Sequence, residues 1–142
     1  MIKIDKYINK LENKKNHKDI PVFSCIFINN EIVASSFNDY YKNKKVSGHA
    51  EINAINKALK KLKITNLSDY KIFTSLEPCI MCYGAIKQVK INEIVYLSEN
   101  LKMSFRDEIN INKIKVKISK YKNKNLEEKY LNIISSFFLK KR

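Results

Sequence analysis

The run Val22 to Ile28 is apolar on both of its faces, and no other feature restricts the fold of this chain so sharply. A strand of that kind belongs inside a sheet that is covered on both sides. Pro21 opens it, and Asn29-Asn30 supplies turn chemistry before a second strand, Glu31 to Phe37. Helical stripes supply the covers. Ile4, Tyr7, Ile8 and Leu11 recur at helical spacing. Ile55, Ala58, Leu59 and Leu62 mark a helix from His49 to about Lys63. Cys82, Ile86 and Val89 mark another from Cys79 to about Lys90, with Pro78 at its start. Leu126, Tyr130, Ile133, Ile134 and Phe137 mark the last.

Between these helices Tyr70 to Ser75 and Ile94 to Leu97 read as strands. Ile114, Val116 and Ile118 alternate with lysines, as on a half-exposed edge strand. Asn38 to Lys45 reads as a polar loop, and 98–110 as a short helix and loop. Helices alternating with strands indicate an α/β domain with a central sheet between helical layers. With 2 Gly and 2 Pro there is little room for a linker, so one domain over residues 1–142 is expected.

The N-terminal residues alternate charged and apolar types instead of forming a signal-peptide block, and no stretch approaches the roughly 18 apolar residues of a membrane span. The expectation is a cytoplasmic protein without membrane contact. The charge is lopsided: 28 Lys and Arg face 14 Asp and Glu, a net +14. Residues 101–142 carry ten lysines and two arginines against four acids, +8 of the total. Such a field favours polyanions, nucleic acid above all. Lys, Asn and Ile are all abundant and all have A/T-rich codons, so genomic bias is a competing source of the lysines.

Three residues stand out chemically: His49, Cys79 and Cys82. Imidazole and thiolate are good zinc ligands, and Cys-x-x-Cys fits one metal. Thiols at a helix N-terminus are more acidic, which helps form the thiolate. Three ligands leave a fourth position for water, as in a catalytic site. Glu51, two residues after His49, is placed to carry protons for that water. Cys-x-x-Cys alone could equally be a redox pair or half a zinc ribbon. The pattern His-Ala-Glu, a gap of 30 residues, then Pro-Cys-Ile-Met-Cys is far more specific, and matches the zinc deaminase signature H-x-E…P-C-x-x-C. Cys25, in the buried strand, reads as a small core residue.

On these segments the chain resembles the cytidine deaminase superfamily, and within it the bacterial tRNA adenosine deaminases. Leu76-Glu77-Pro78-Cys79-Ile80-Met81-Cys82-Tyr83-Gly84-Ala85-Ile86 and His49-Ala50-Glu51-Ile52 are similar to its two active-site segments. Phe137-Phe138-Leu139-Lys140-Lys141-Arg142 resembles its aromatic-basic C-terminal helix. The resemblance implies a three-layer α/β/α fold around a five-stranded mixed sheet. It implies hydrolysis of adenosine to inosine at the wobble position of a tRNA anticodon by a zinc-activated water. One Zn2+ per chain would be held by His49, Cys79 and Cys82, with Glu51 as the catalytic proton shuttle. Asn38, eleven residues before His49, would contact the base. The implied partners are a tRNA anticodon stem-loop and a second copy of the chain. Tyr40, Tyr41 and Phe105 could offer stacking faces for neighbouring bases.

Two segments depart from that family. Lys45-Val46-Ser47-Gly48 replaces its usual residues before the histidine, and Glu99 to Glu108 replaces a glycine-rich segment without a single glycine. Two other readings compete. One is a deaminase of a free nucleobase, nucleoside or nucleotide of the cytosine, guanine or deoxycytidylate type, against which the basic C-terminus argues. The other is a zinc-stabilised RNA-binding module without catalysis, against which Glu51 argues.

Overall fold

A computed structural model describes residues 2–13 and 18–140. The apolar run becomes β1 (Phe23–Ile28), and β2 (Glu31–Phe37) returns antiparallel to it. Asn29 and Asn30 make the turn with φ of 49° and 64°. Two left-handed residues match the twist of a two-residue hairpin, and asparagine tolerates that conformation better than most residues. The sheet is completed by β3 (Lys71–Leu76), β4 (Glu93–Ser98) and β5 (Lys117–Lys120), in the order β2-β1-β3-β4-β5. β1 and β3 pair antiparallel, whereas β3, β4 and β5 run parallel. The sheet is therefore mixed, as expected.

Helices cover both faces. α1 (Asp5–Glu12) and α5 (Lys124–Lys140) pack on one, where Ile8, Leu11, Phe23, Phe73, Leu97 and Tyr130 form a core. α3 (Ala50–Leu62) and α4 (Ile80–Gln88) pack on the other, around Ile26, Ala54, Ala58, Ile72, Ile86 and Ile94. Alternate residues of β1 enter different cores, which is why both of its faces are mainly apolar; the buried exception, Ser24, donates its hydroxyl to Phe73 O at 2.7 Å. Long-range bonds fasten the outer helices. The Tyr121 hydroxyl donates to Ile2 O at 2.8 Å, and the Tyr130 hydroxyl donates to Pro21 O at 2.8 Å.

β2 is an edge strand, and α3 runs beside it. Asn53, Lys57 and Lys61, one per turn of α3, donate to the carbonyls of Phe37, Ser35 and Val33 at 3.1, 2.9 and 2.9 Å. Four helical residues advance about 6.0 Å and two strand residues about 6.8 Å, so the two repeats stay nearly in step. These side chains occupy acceptors that an edge strand otherwise presents to another chain.

Two expectations need correction. The polar loop at 38–45 contains a one-turn helix, α2 (Tyr40–Asn43), because the buried Asp19 carboxylate accepts from the Tyr41 and Lys42 amides at 2.6 and 3.1 Å. The alternating segment at 113–118 is strand only from Lys117. Before it, a 3-10 turn at Ile111–Lys113, opened by the Asn110 side chain accepting from Asn112 N, takes the chain off the sheet. Lys141 and Arg142 of the basic ending lie outside the described residues.

Candidate active site

His49 and Cys79 occupy equivalent places in the chain. Each is the N-cap residue of a helix, His49 of α3 and Cys79 of α4, with extended backbone (ψ 147° and 174°). Neither side chain is used as a cap, so both remain available for chemistry. Pro78 stands just outside α4, where its missing N–H costs nothing. Cys82 lies in the first turn of α4 and is fully buried. The partial positive charge of a helix N-terminus favours thiolate there.

The structure brings His49, Cys79 and Cys82 together. Cys79 Sγ is 3.6 Å and Cys82 Sγ 3.4 Å from His49 Nδ1, and the three ligand atoms lie within 4.8 Å of one another. Bond lengths of about 2.3 Å to sulfur and 2.1 Å to nitrogen give a tetrahedral zinc ion S···N edges of about 3.6 Å. The donor set and its spacing fit that ion. Without it, protons do the neutralising. A hydrogen bond from the Cys82 thiol, together with His49, holds the Cys79 thiol down at about 4. The same bond to Cys79 keeps Cys82 strongly protonated, with burial adding to the effect. The Cys79 sulfur in turn holds His49 above its ordinary value.

Glu51 follows in the first turn of α3 and is 4% exposed. Burial raises its carboxyl to about 7, against a lowering contact with Cys82. A carboxyl poised near neutrality can both take and give a proton at physiological pH. Asn38, at the end of β2, is brought to the same place. Its Oδ1 accepts the Ala50 amide at 3.2 Å, and its Nδ2 has no partner among the described residues. Gly48 permits the approach of these loops: a Cβ there would meet Asp39 Oδ1 at 2.6 Å and Tyr40 N at 2.8 Å.

Of the proposed stacking faces, Tyr40 and Tyr41 are 40% and 52% exposed and contact each other edge-on. Phe105 is not a surface aromatic. It is fully buried and stacks on Tyr83 with centroids 4.5 Å apart.

Phe105 belongs to a strap that the sequence pattern does not reveal. The glycine-free segment after β4 folds back over the Glu77-Pro78 turn that precedes Cys79. Asn100 donates from its backbone to Glu77 Oε1 and from its side chain to Glu77 O, both at 3.3 Å. Phe105 N donates to Pro78 O at 3.0 Å. Arg106 pairs with the buried Glu77 carboxylate and also lies against Tyr96. A signal for this existed. Basic positions in this chain are almost all lysine, so an isolated Arg106 marks a place where a planar, multidentate cation is needed.

A family model described as MafB19-like deaminase matches residues 2–142. The "tRNA-specific adenosine deaminase" of Buchnera aphidicola subsp. Baizongia pistaciae is 36% identical over 128 residues, covering 87% of this chain and 78% of that protein. Among solved structures, one from work on A-to-I editing by tRNA:A34 deaminases at the wobble position superposes with a TM-score of 0.63 at 22% identity, covering 70% of this chain and 82% of the other. The guanine deaminase of Nitrosomonas europaea superposes with a TM-score of 0.72 at 14% identity, covering 96% and 85%. At those identities the two structures share the fold, a deaminase-type three-layer sandwich.

Proposed function

The chain belongs to the MafB19-like deaminase family, and from that premise we propose that it hydrolyses adenosine to inosine and ammonia at the wobble position of a tRNA anticodon. The observation that carries this reading is a buried carboxyl, Glu51, in contact with a thiol of the His49, Cys79 and Cys82 group. A purely structural metal site has no use for such an acid. The RNA substrate is supported by the 36% identity to a tRNA-specific adenosine deaminase and by the net charge of +14.

In this reading His49, Cys79 and Cys82 hold one zinc ion per chain. When bound, zinc supplies a Lewis acid that makes water nucleophilic near neutral pH. Glu51 would take a proton from the attacking water and pass it to N1 of the purine as the water oxygen bonds to C6. It later delivers a proton to the departing amino group, so that ammonia and the carbonyl of inosine are formed. Asn38 holds the base through its Nδ2 donors, since its oxygen is already engaged by Ala50. An unpaired loop base suits this site, because little stacking or pairing is lost when it is extruded.

One catalytic domain spans the chain in this reading, and it acts as a homodimer in the cytoplasm on the anticodon stem-loop. Among the described residues no helix is long and apolar enough to cross a membrane. The deciding experiment offers the zinc-loaded protein an anticodon stem-loop with adenosine at the wobble position beside free adenosine, cytidine and guanine. Inosine in the stem-loop is the expected product. Efficient turnover of a free compound with an inert stem-loop would replace this reading with the small-molecule one.

A further inference from the structure

We propose that a groove along the outer edge of β2 binds the phosphodiester backbone of the substrate RNA, at a distance from the reacting base. This rests on the reading that the substrate is RNA. The groove encloses about 350 Å³ and is lined by Tyr7 of α1, by Ile32 to Ser35 of β2, and by Lys57 and Lys61 of α3. No carboxylate lines it.

What separates this place from the rest of a lysine-rich surface is how its lysines are held. Elsewhere, fixed lysines are fixed by acids: Lys45 on Asp39, Lys71 and Lys117 on Glu93, Lys120 on Glu99 and Glu127, Lys129 on Glu12. Their charge is largely neutralised. Lys57 and Lys61 are instead fixed by neutral carbonyls at 2.9 Å. Each ammonium spends one donor that way and keeps two, with its full charge. Tyr7, the groove's α1 wall, stacks on Phe23, and Lys6 and Lys10 lie 5.0 and 5.7 Å from the centroid of its ring. Among the described residues, lysines held by a contact but not by a carboxylate number one more, Lys102 over Phe138. Two held charges thus line the cleft, and two more are held at the ring of Tyr7, which lines it as well. Preorganised cations lose less freedom on meeting an anion than free ones do.

The two pairs repeat every four residues, about 6 Å along each helix. That makes two short rails of charge. Along α3 the rail begins about 12 Å from His49 and ends about 18 Å from it. A chain of phosphates leaving the active site can reach it, and a single nucleoside cannot.

The test compares the zinc-loaded protein with two fourfold variants. Lys→Gln at 6, 10, 57 and 61 keeps donors for the carbonyls and removes the charge, while Lys→Arg at the same positions keeps both. Binding of whole tRNA and of a loop-only oligonucleotide is measured across a salt series, together with zinc content and self-association. The Lys→Gln variant is expected to keep its zinc and to flatten the log–log salt slope for tRNA by about 2 to 3. The Lys→Arg variant should retain the wild-type slope, and the loop-only slope should be common to all three proteins. An unaltered tRNA slope in the Lys→Gln variant overturns the proposal. So does self-association with that slope unchanged, which would make the lysines guards of the β2 edge and nothing more. Failure of the deaminase reading is distinguishable. A lysine-dependent slope without inosine leaves the groove standing and removes the reaction, and inosine with an indifferent slope does the reverse.

Discussion

Asn38 Oδ1 receives the Ala50 amide at 3.2 Å, so the residue assigned to the base also closes the first turn of the helix that carries Glu51. The two roles use different atoms and can be separated. Asn38→Asp keeps the acceptor and removes the amide donors. Asn38→Ala removes both. Loss of a cap costs about 1 kcal/mol, so the alanine variant should melt earlier. The aspartate variant should melt near wild type and yet lose turnover. Equal activity of aspartate variant and wild type would remove Asn38 from base recognition.

Zinc loading should release protons. At neutral pH the held-up Cys82 thiol carries a proton that metal displaces, Cys79 is already a thiolate, and the Cys79 sulfur shifts His49 toward its protonated form, which metal also displaces. Between about one and two protons per zinc are expected, measured by titration in weakly buffered solution. Affinity should consequently fall as pH falls. His49→Ala and Cys82→Ala should each lose the metal by elemental analysis. Full zinc in either variant would contradict the ligand assignment.

Glu51→Gln preserves shape and removes the proton carrier. It should retain zinc and RNA affinity and lose at least about 100-fold in rate, the usual scale for a general acid–base group. Turnover close to wild type would end the shuttle role.

Arg106 should matter to the metal without touching it. Arg106→Met leaves the Glu77 carboxylate buried without its cation, at a cost of about 3 kcal/mol. A lower melting temperature and faster zinc transfer to a chelator are expected. Adding Glu77→Gln should recover much of the stability, because the unpaired charge is then gone. If chelator kinetics are unchanged in Arg106→Met, the strap is not what holds the Cys79 turn.

The layered sheet was legible in the sequence because periodicity reports it directly. Val22 to Ile28 supplies an interior strand of the sheet, between β2 and β3, and Ile55, Ala58, Ile86 and Tyr130 face the cores their spacing predicts. The grouping of His49, Cys79 and Cys82 was legible from ligand chemistry and spacing. What escaped depends on contacts between distant segments. α2 forms because Asp19, 22 residues upstream of Tyr41, caps it. Phe105 sits in an irregular segment, where an aromatic reads as exposed, yet it fills the space over Tyr83. Gly48 carries no local signal either, because its need for a missing side chain arises only where Asp39 and Tyr40 fold against it.

The bonds from Tyr121 to Ile2 and from Tyr130 to Pro21 have a consequence for synthesis. A ribosome adding about 5–20 residues per second completes Cys82 several seconds before it completes α5. During that interval the nascent chain holds every expected metal ligand, while Phe23, Phe73 and Leu97 still lack the helix that covers them. The ligand residues of the proposed metal site are thus all made before the helix that closes the second core.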